Sequence, residues 1–182
     1  MALPVVVAVG DETADKLIAR LQPLVQALKV GPGCMRGKEE NEMGPVVSDS
    51  HQKKVLGYID KGVSEGATLV VDGRKPRVPG YDEGYYVGGT LFDNVTPEMT
   101  IWREEIFGPV LGIVRVADYH SALELVNSHE FGNGSAVFTS SGHTAREFVH
   151  DVQAGMVGST CRCRYRWRST ALAAGSARSS AP

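Results

Sequence analysis

At 182 residues, 42% hydrophobic and 22% charged, the chain has an ordinary globular composition and the length to bury a real core. No apolar run approaches the eighteen or so residues of a membrane span, and the apolar start lacks a signal peptide's basic flank, so a cytoplasmic location is expected. The net charge of −2 conceals five arginines and no acid in residues 159–182, against 14 basic and 21 acidic residues in 1–158.

Residues 3–9 form a β-branched run, expected to be a buried strand. Asp11, Glu12 and Thr13 offer a helix start with acids in the first turn. Leu17, Ile18, Leu21, Leu24, Val25 and Leu28 then recur at helical spacing, with Pro23 predicting a kink. Gly31, Pro32 and Gly33 end that helix, and a polar loop follows. Ser48, Asp49 and Ser50 cap a second helix whose buried face is expected to hold Val55, Ile59 and Val63, closed by Gly66. A strand over 67–71 leads to a turn at Asp72 and Gly73, then to a surface loop over 74–84 rich in Pro, Gly and charge. Residues 85–92 read as a further strand, and Thr96, Pro97 and Glu98 as the opening of a short helix.

That short helix leads into Arg103-Glu104-Glu105-Ile106-Phe107-Gly108-Pro109-Val110. Two carboxylates precede an aromatic, and the Gly-Pro pair is expected to stop the helix, glycine supplying a left-handed residue. The apolar run 110–116 has strand length. Asp118 begins another helix through Ala122, Leu125 and Val126, and Asn133 and Gly134 lead into a strand over 135–139. A helix over 144–152 and a strand beginning at Gly155 complete the pattern. Strands alternating with helices at this rhythm predict an α/β fold with a largely parallel sheet flanked by helices. The strands over 5–9 and 110–116 are the ones expected to present unpaired edges or bare faces.

Four words stand in order along the chain: Met43-Gly44-Pro45-Val46-Val47-Ser48, Thr96-Pro97-Glu98-Met99, Glu104 to Val110, and Phe131-Gly132-Asn133-Gly134. Together they resemble the aldehyde dehydrogenase superfamily over residues 1–158, which would make this stretch a partial catalytic domain. The Gly-Asn-Gly form and the run Asp93 to Thr100 resemble the CoA-acylating methylmalonate-semialdehyde branch in particular. The resemblance implies a cysteine thiolate that attacks the aldehyde, hydride transfer to NAD, and release of the acyl group to CoA with loss of CO2, giving propionyl-CoA or acetyl-CoA in valine catabolism. It assigns Glu105 to the nicotinamide ribose hydroxyls and Phe107 to the side of the nicotinamide. It also implies a small-molecule aldehyde substrate, a homo-oligomer, and no nucleic-acid or membrane partner.

The resemblance places the nucleophilic cysteine just before Met1, so no catalytic residue is assigned within 1–182. The upstream glutamate base and the dinucleotide-binding domain are likewise expected outside it, and the chain alone is expected to be inactive. Cys34, in a Gly-Pro-Gly-Cys loop, reads as an incidental thiol. The three cysteines form no disulfide framework and fit a reducing compartment. His51, His120, His129, His143 and His150 read as scattered surface residues without metal-ligand spacing, so no metal is expected.

Residues 159–182 read as a disordered basic tail. Arginines 162, 164, 166 and 168 alternate with other residues and would share one face of an extended chain beside Tyr165 and Trp167, the pattern of a polyanion-binding strip. The genetic code offers a simpler origin. Codons for 159–175 exist that, read two bases later, give a Val-Pro-rich run ending in Ser-Phe-Gly-Gly-Trp, as in the family, so the segment reads as frameshifted. Two other readings stand beside this one: another semialdehyde dehydrogenase of the superfamily, or a non-enzymatic polyanion-binding protein acting through its tail.

Overall fold

The computed structural model describes residues 4–33, 41–81 and 83–160. Cys34 and the arginines of the tail lie outside the described residues. The chain divides after Ala117 into two compact units.

In the first unit, β1 (Val5–Val9), β2 (Thr68–Val71), β3 (Thr90–Asp93) and β4 (Val110–Val116) form one sheet in the order β1-β4-β3-β2. β1 and β3 run parallel to β4, while β2 pairs antiparallel with β3, so the sheet is largely parallel. β4 is therefore paired on both sides and is no edge, contrary to the expectation from its sequence. Every residue of β3 is buried, which matches a strand covered on both faces.

Strand alternation sorts the side chains onto those two faces. Leu91 and Ile113 join Ala8 and Val71 in a cluster with Ala14, Leu17, Ile18, Leu21 and Val25 of α1 (Asp11–Gln26). α1 starts at Gly10, whose φ of 83° supplies the turn out of β1; Asp11 and Glu12 follow in the first helical turn rather than capping it. On the same face Asp93, only 6% exposed, accepts from Arg115 Nε at 3.0 Å and Nη2 at 2.8 Å. Arg115 also reaches Asp15 at 2.7 Å and Asp11 at 3.3 Å, tying the end of β4 to α1. A buried carboxylate is thus paired and hydrogen-bonded, which its burial requires.

α2 (Asp49–Ser64) is capped by Ser48, whose hydroxyl accepts from the His51 amide. It ends in a Schellman motif: Gly66, at φ 100°, donates to the Val63 carbonyl, and the Ala67 amide donates to Gly62. Val55 and Ile59 are fully buried as expected, but Val63 is exposed and Gly62 takes the buried place. The reason is helical phase, because seven residues after Val55 brings the chain back to its face and eight overshoots it. A strand over 85–92 is realised only from Thr90. Before it, Gly88 donates to the Gly73 carbonyl, and a Cβ on Gly73 would lie 2.2 Å from the Gly88 oxygen, so the two segments touch as bare backbone.

The second unit holds α4 (Tyr119–Ser128), β5 (Gly134–Phe138), α5 (Gly142–Asp151) and β6 (Met156–Thr160), with β5 and β6 a parallel pair. Asp118 and Ser141 cap the two helices through Ser121 N and Thr144 N. Ala145, Phe148 and Val152 are buried, whereas α4 buries no residue fully. Among the described residues no helix is long and apolar enough to cross a membrane.

Candidate cofactor site

The short helix α3 (Thr100–Arg103) ends before the two glutamates. Glu104 has φ −106° and ψ 144°, so the segment that follows is extended and the Gly-Pro pair stops no helix. The left-handed residue is Phe107, at φ 55°, and not the glycine after it. Gly108 serves packing instead. A Cβ there would stand 2.7 Å from both Cγ atoms of Val55, so only glycine lets this loop lie on α2.

Residues 100–108 run antiparallel along one stripe of α2. The Thr100 amide and hydroxyl donate to the Glu65 carboxylate at 2.7 and 2.6 Å. That bonding, chiefly the Thr100 hydroxyl, holds the Glu65 carboxyl below the usual glutamate range. Ile101 packs where a Cβ on Gly62 would meet it at 3.0 Å. The Tyr58 hydroxyl donates to Glu104, and this bond raises the phenol's pKa. Val55 meets Gly108, and His51 Nε2 lies 2.8 Å from the Phe107 carbonyl, which requires the proton on that nitrogen. Positions 51, 55, 58, 62 and 65 fall within an arc of about 80° on the helix.

Extended backbone sends successive side chains to opposite sides. Glu104 is taken up by α2, Ile106 is buried, and Glu105 between them is exposed without a hydrogen bond or ion pair among the described residues. Phe107 is 57% exposed, a large apolar ring left outside the core on a backbone conformation that costs a non-glycine residue energy. A free carboxylate can accept from both hydroxyls of a ribose, and an exposed ring offers a face for an aromatic heterocycle.

The other sequence words serve the same unit or the second one. Met43 bridges to Val30, Val46 donates to the Tyr85 carbonyl, and this word delivers Ser48 to the start of α2. Thr96 to Met99 makes the turn entering α3, with the Met99 amide donating to Thr96. In the second unit, the Gly132 and Asn133 carbonyls receive Gly155 and Met156, which sets the register of β5 against β6. The sequence reading left His51 as a surface residue and passed over Tyr58 and Glu65. Their signal was the four-three-four-three spacing through Val55 and Gly62. Among the described residues no group of three or more His, Cys, Asp or Glu side chains is placed to hold a metal ion.

A helix-flanked, largely parallel sheet with an exposed carboxylate and an exposed aromatic at a helix-to-strand junction defines an α/β protein. The chain belongs to the aldehyde dehydrogenase family, whose model matches residues 3–181. It is 54% identical over 158 residues to a malonate-semialdehyde dehydrogenase of Pseudomonas aeruginosa, covering 87% of this chain and 31% of that one. A structure of methylmalonate-semialdehyde dehydrogenase from Oceanimonas doudoroffii is 51% identical with a TM-score of 0.80, covering 85% of this chain and 31% of that one. A Sinorhizobium meliloti protein provisionally named methylmalonate-semialdehyde dehydrogenase, solved with NAD, is 46% identical with a TM-score of 0.83, covering 88% and 32%. The chain thus spans about a third of the length of the relatives it matches.

Proposed function

We propose that this chain forms the part of an NAD-dependent malonate- or methylmalonate-semialdehyde dehydrogenase that holds the nicotinamide-ribose end of the cofactor. The observation that carries the reading is the separation of two adjacent glutamates. Glu104 is bound to Tyr58, and Glu105 is left open one residue before Ile106 and two before the exposed Phe107. Glu105 accepts the ribose hydroxyls, and Phe107 lies against the nicotinamide side and limits its movement. NAD, when bound, supplies the hydride acceptor. The substrate is a small semialdehyde bearing a carboxylate, the acyl acceptor is CoA, and the carboxylate leaves as CO2. The working enzyme is a soluble homo-oligomer. Residues 159–182, where arginine alternates without an acid, are proposed to be read out of frame.

The test uses the flanking DNA to build a chain of the relatives' length with the frame restored. Glu105→Gln in that protein is expected to raise KM for NAD about tenfold, as loss of a charged hydrogen bond does. Unchanged NAD kinetics with unchanged stability would overturn the assignment. Sequencing the same DNA checks the tail: an in-frame continuation through residues 159–182 would dispose of the frameshift.

A further inference from the structure

The cofactor reading leaves open why one of two neighbouring glutamates, and not the other, meets the ribose. Both are carboxylates of equal length on one extended segment, and both reach solvent. The structure breaks the symmetry from outside the segment. Tyr58, three residues after the buried Val55, donates its hydroxyl to Glu104. His51, one turn before Val55, holds the carbonyl of Phe107 at 2.8 Å. Gly108 lies against Val55 between those two contacts, so the backbone from 104 to 108 is gripped at three points along α2.

Resting on the cofactor reading, we propose that Tyr58 is a positioning residue: by taking up Glu104 it fixes the face of the segment and leaves Glu105 the carboxylate open to NAD. His51 completes the grip by keeping Phe107 in its left-handed conformation. Without the Tyr58 hydroxyl, Glu104 loses its bond to α2, and the segment is held there by the Gly108 and Phe107 contacts alone. The backbone at 104 and 105 is then less firmly held between Ile101 and Ile106, and each NAD binding event must order it first. The role differs from stability, because Glu104 is exposed and an exposed hydrogen bond adds little to folding.

The experiment measures NAD dissociation constants by calorimetric titration of the full-length dehydrogenase carrying this sequence. Four proteins are compared: the parent, Tyr58→Phe, Glu105→Gln and the double variant. Tyr58→Phe is expected to weaken NAD about fivefold to tenfold. The double variant is expected to bind no more weakly than Glu105→Gln alone, since Tyr58 acts through Glu105. Glu104→Gln keeps an oxygen for the Tyr58 hydroxyl and is expected to bind like the parent, while Glu104→Ala, at an exposed position that does not endanger folding, should bind like Tyr58→Phe. If Glu105→Gln weakens NAD but Tyr58→Phe does not, or if the two losses add, the positioning role is wrong and the cofactor reading stands. If Glu105→Gln has no effect, the cofactor reading falls and this inference with it.

Discussion

Gly108 shows how a single residue ties the candidate site to the core. Its place is set by Val55, a fully buried β-branched side chain with no room to rotate away. Gly108→Ala puts a methyl group 2.7 Å from two carbons, so the loop must lift or α2 must shift. A loss of about 1–3 kcal/mol is expected, the usual cost of overpacking. The His51 contact to Phe107, one residue away, should weaken with it. Urea unfolding of the variant checks the first part, and an unchanged midpoint would show that the loop already has slack there. This residue also shows what the sequence hides. Glycine before proline after a helical stretch reads as a C-cap, but no helix ends here, the left-handed φ belongs to Phe107, and the glycine answers to a partner 53 positions earlier.

At the scale of elements, α2 is the template on which the site segment is laid. Glu65 at its C-terminal end caps α3, and its carboxyl is held below the usual range mainly by the Thr100 hydroxyl. Glu65→Ala is expected to cost about 1 kcal/mol, the size of a lost helix cap. A depressed folded-state pKa adds stability above the ordinary glutamate value of about 4.3, and that contribution disappears as pH falls through the lowered folded value. The gap between parent and variant in denaturant unfolding should therefore be full at pH 7 and narrow below about pH 4. A gap independent of pH would mean that the Thr100 contacts act without the charge. Helix and strand periods made most elements legible: α1, α2, β4 and α5 follow from apolar spacing and caps within a residue or two. The stripe at 51, 55, 58, 62 and 65 was less legible because it mixes His, Tyr, Gly and Glu with valine, and hydropathy registers only the last. Glu105 and Phe107 were picked out by resemblance. The bond from Tyr58 to Glu104, 46 residues on, is a tertiary contact that no local pattern encodes.

The whole molecule is built from two units of unequal strength. The first has a four-stranded sheet with α1 and α2 on opposite faces and Leu91, Phe92, Ile113, Val55 and Ile59 excluded from solvent. The second has one parallel strand pair, and two-stranded sheets are marginal in water while parallel pairing is the weaker kind. Phe131, Phe138 and Met156 there are 54%, 77% and 57% exposed, and α4 buries no side chain fully. With domains stable by only about 5–15 kcal/mol, these deficits are enough to let the second unit open while the first stays folded. In the isolated 182-residue chain, amides of 91–93 and 112–114 should exchange with solvent slowest. Those of 135–138 and 157–159 should exchange at least tenfold faster, through local opening. Opening exposes strand edges beside apolar side chains, so the same chain should associate as concentration rises, and faster exchange in 135–159 should precede association. β1, paired only with β4 among the described residues, gives the first unit one long edge of its own, but its strands remain anchored to a covered sheet. Hydrogen exchange read by mass spectrometry, with light scattering on the same samples, makes the comparison. A monomer whose two units are protected equally and unfold in one sharp transition would show that the second unit draws its stability from contacts beyond its own strand pair.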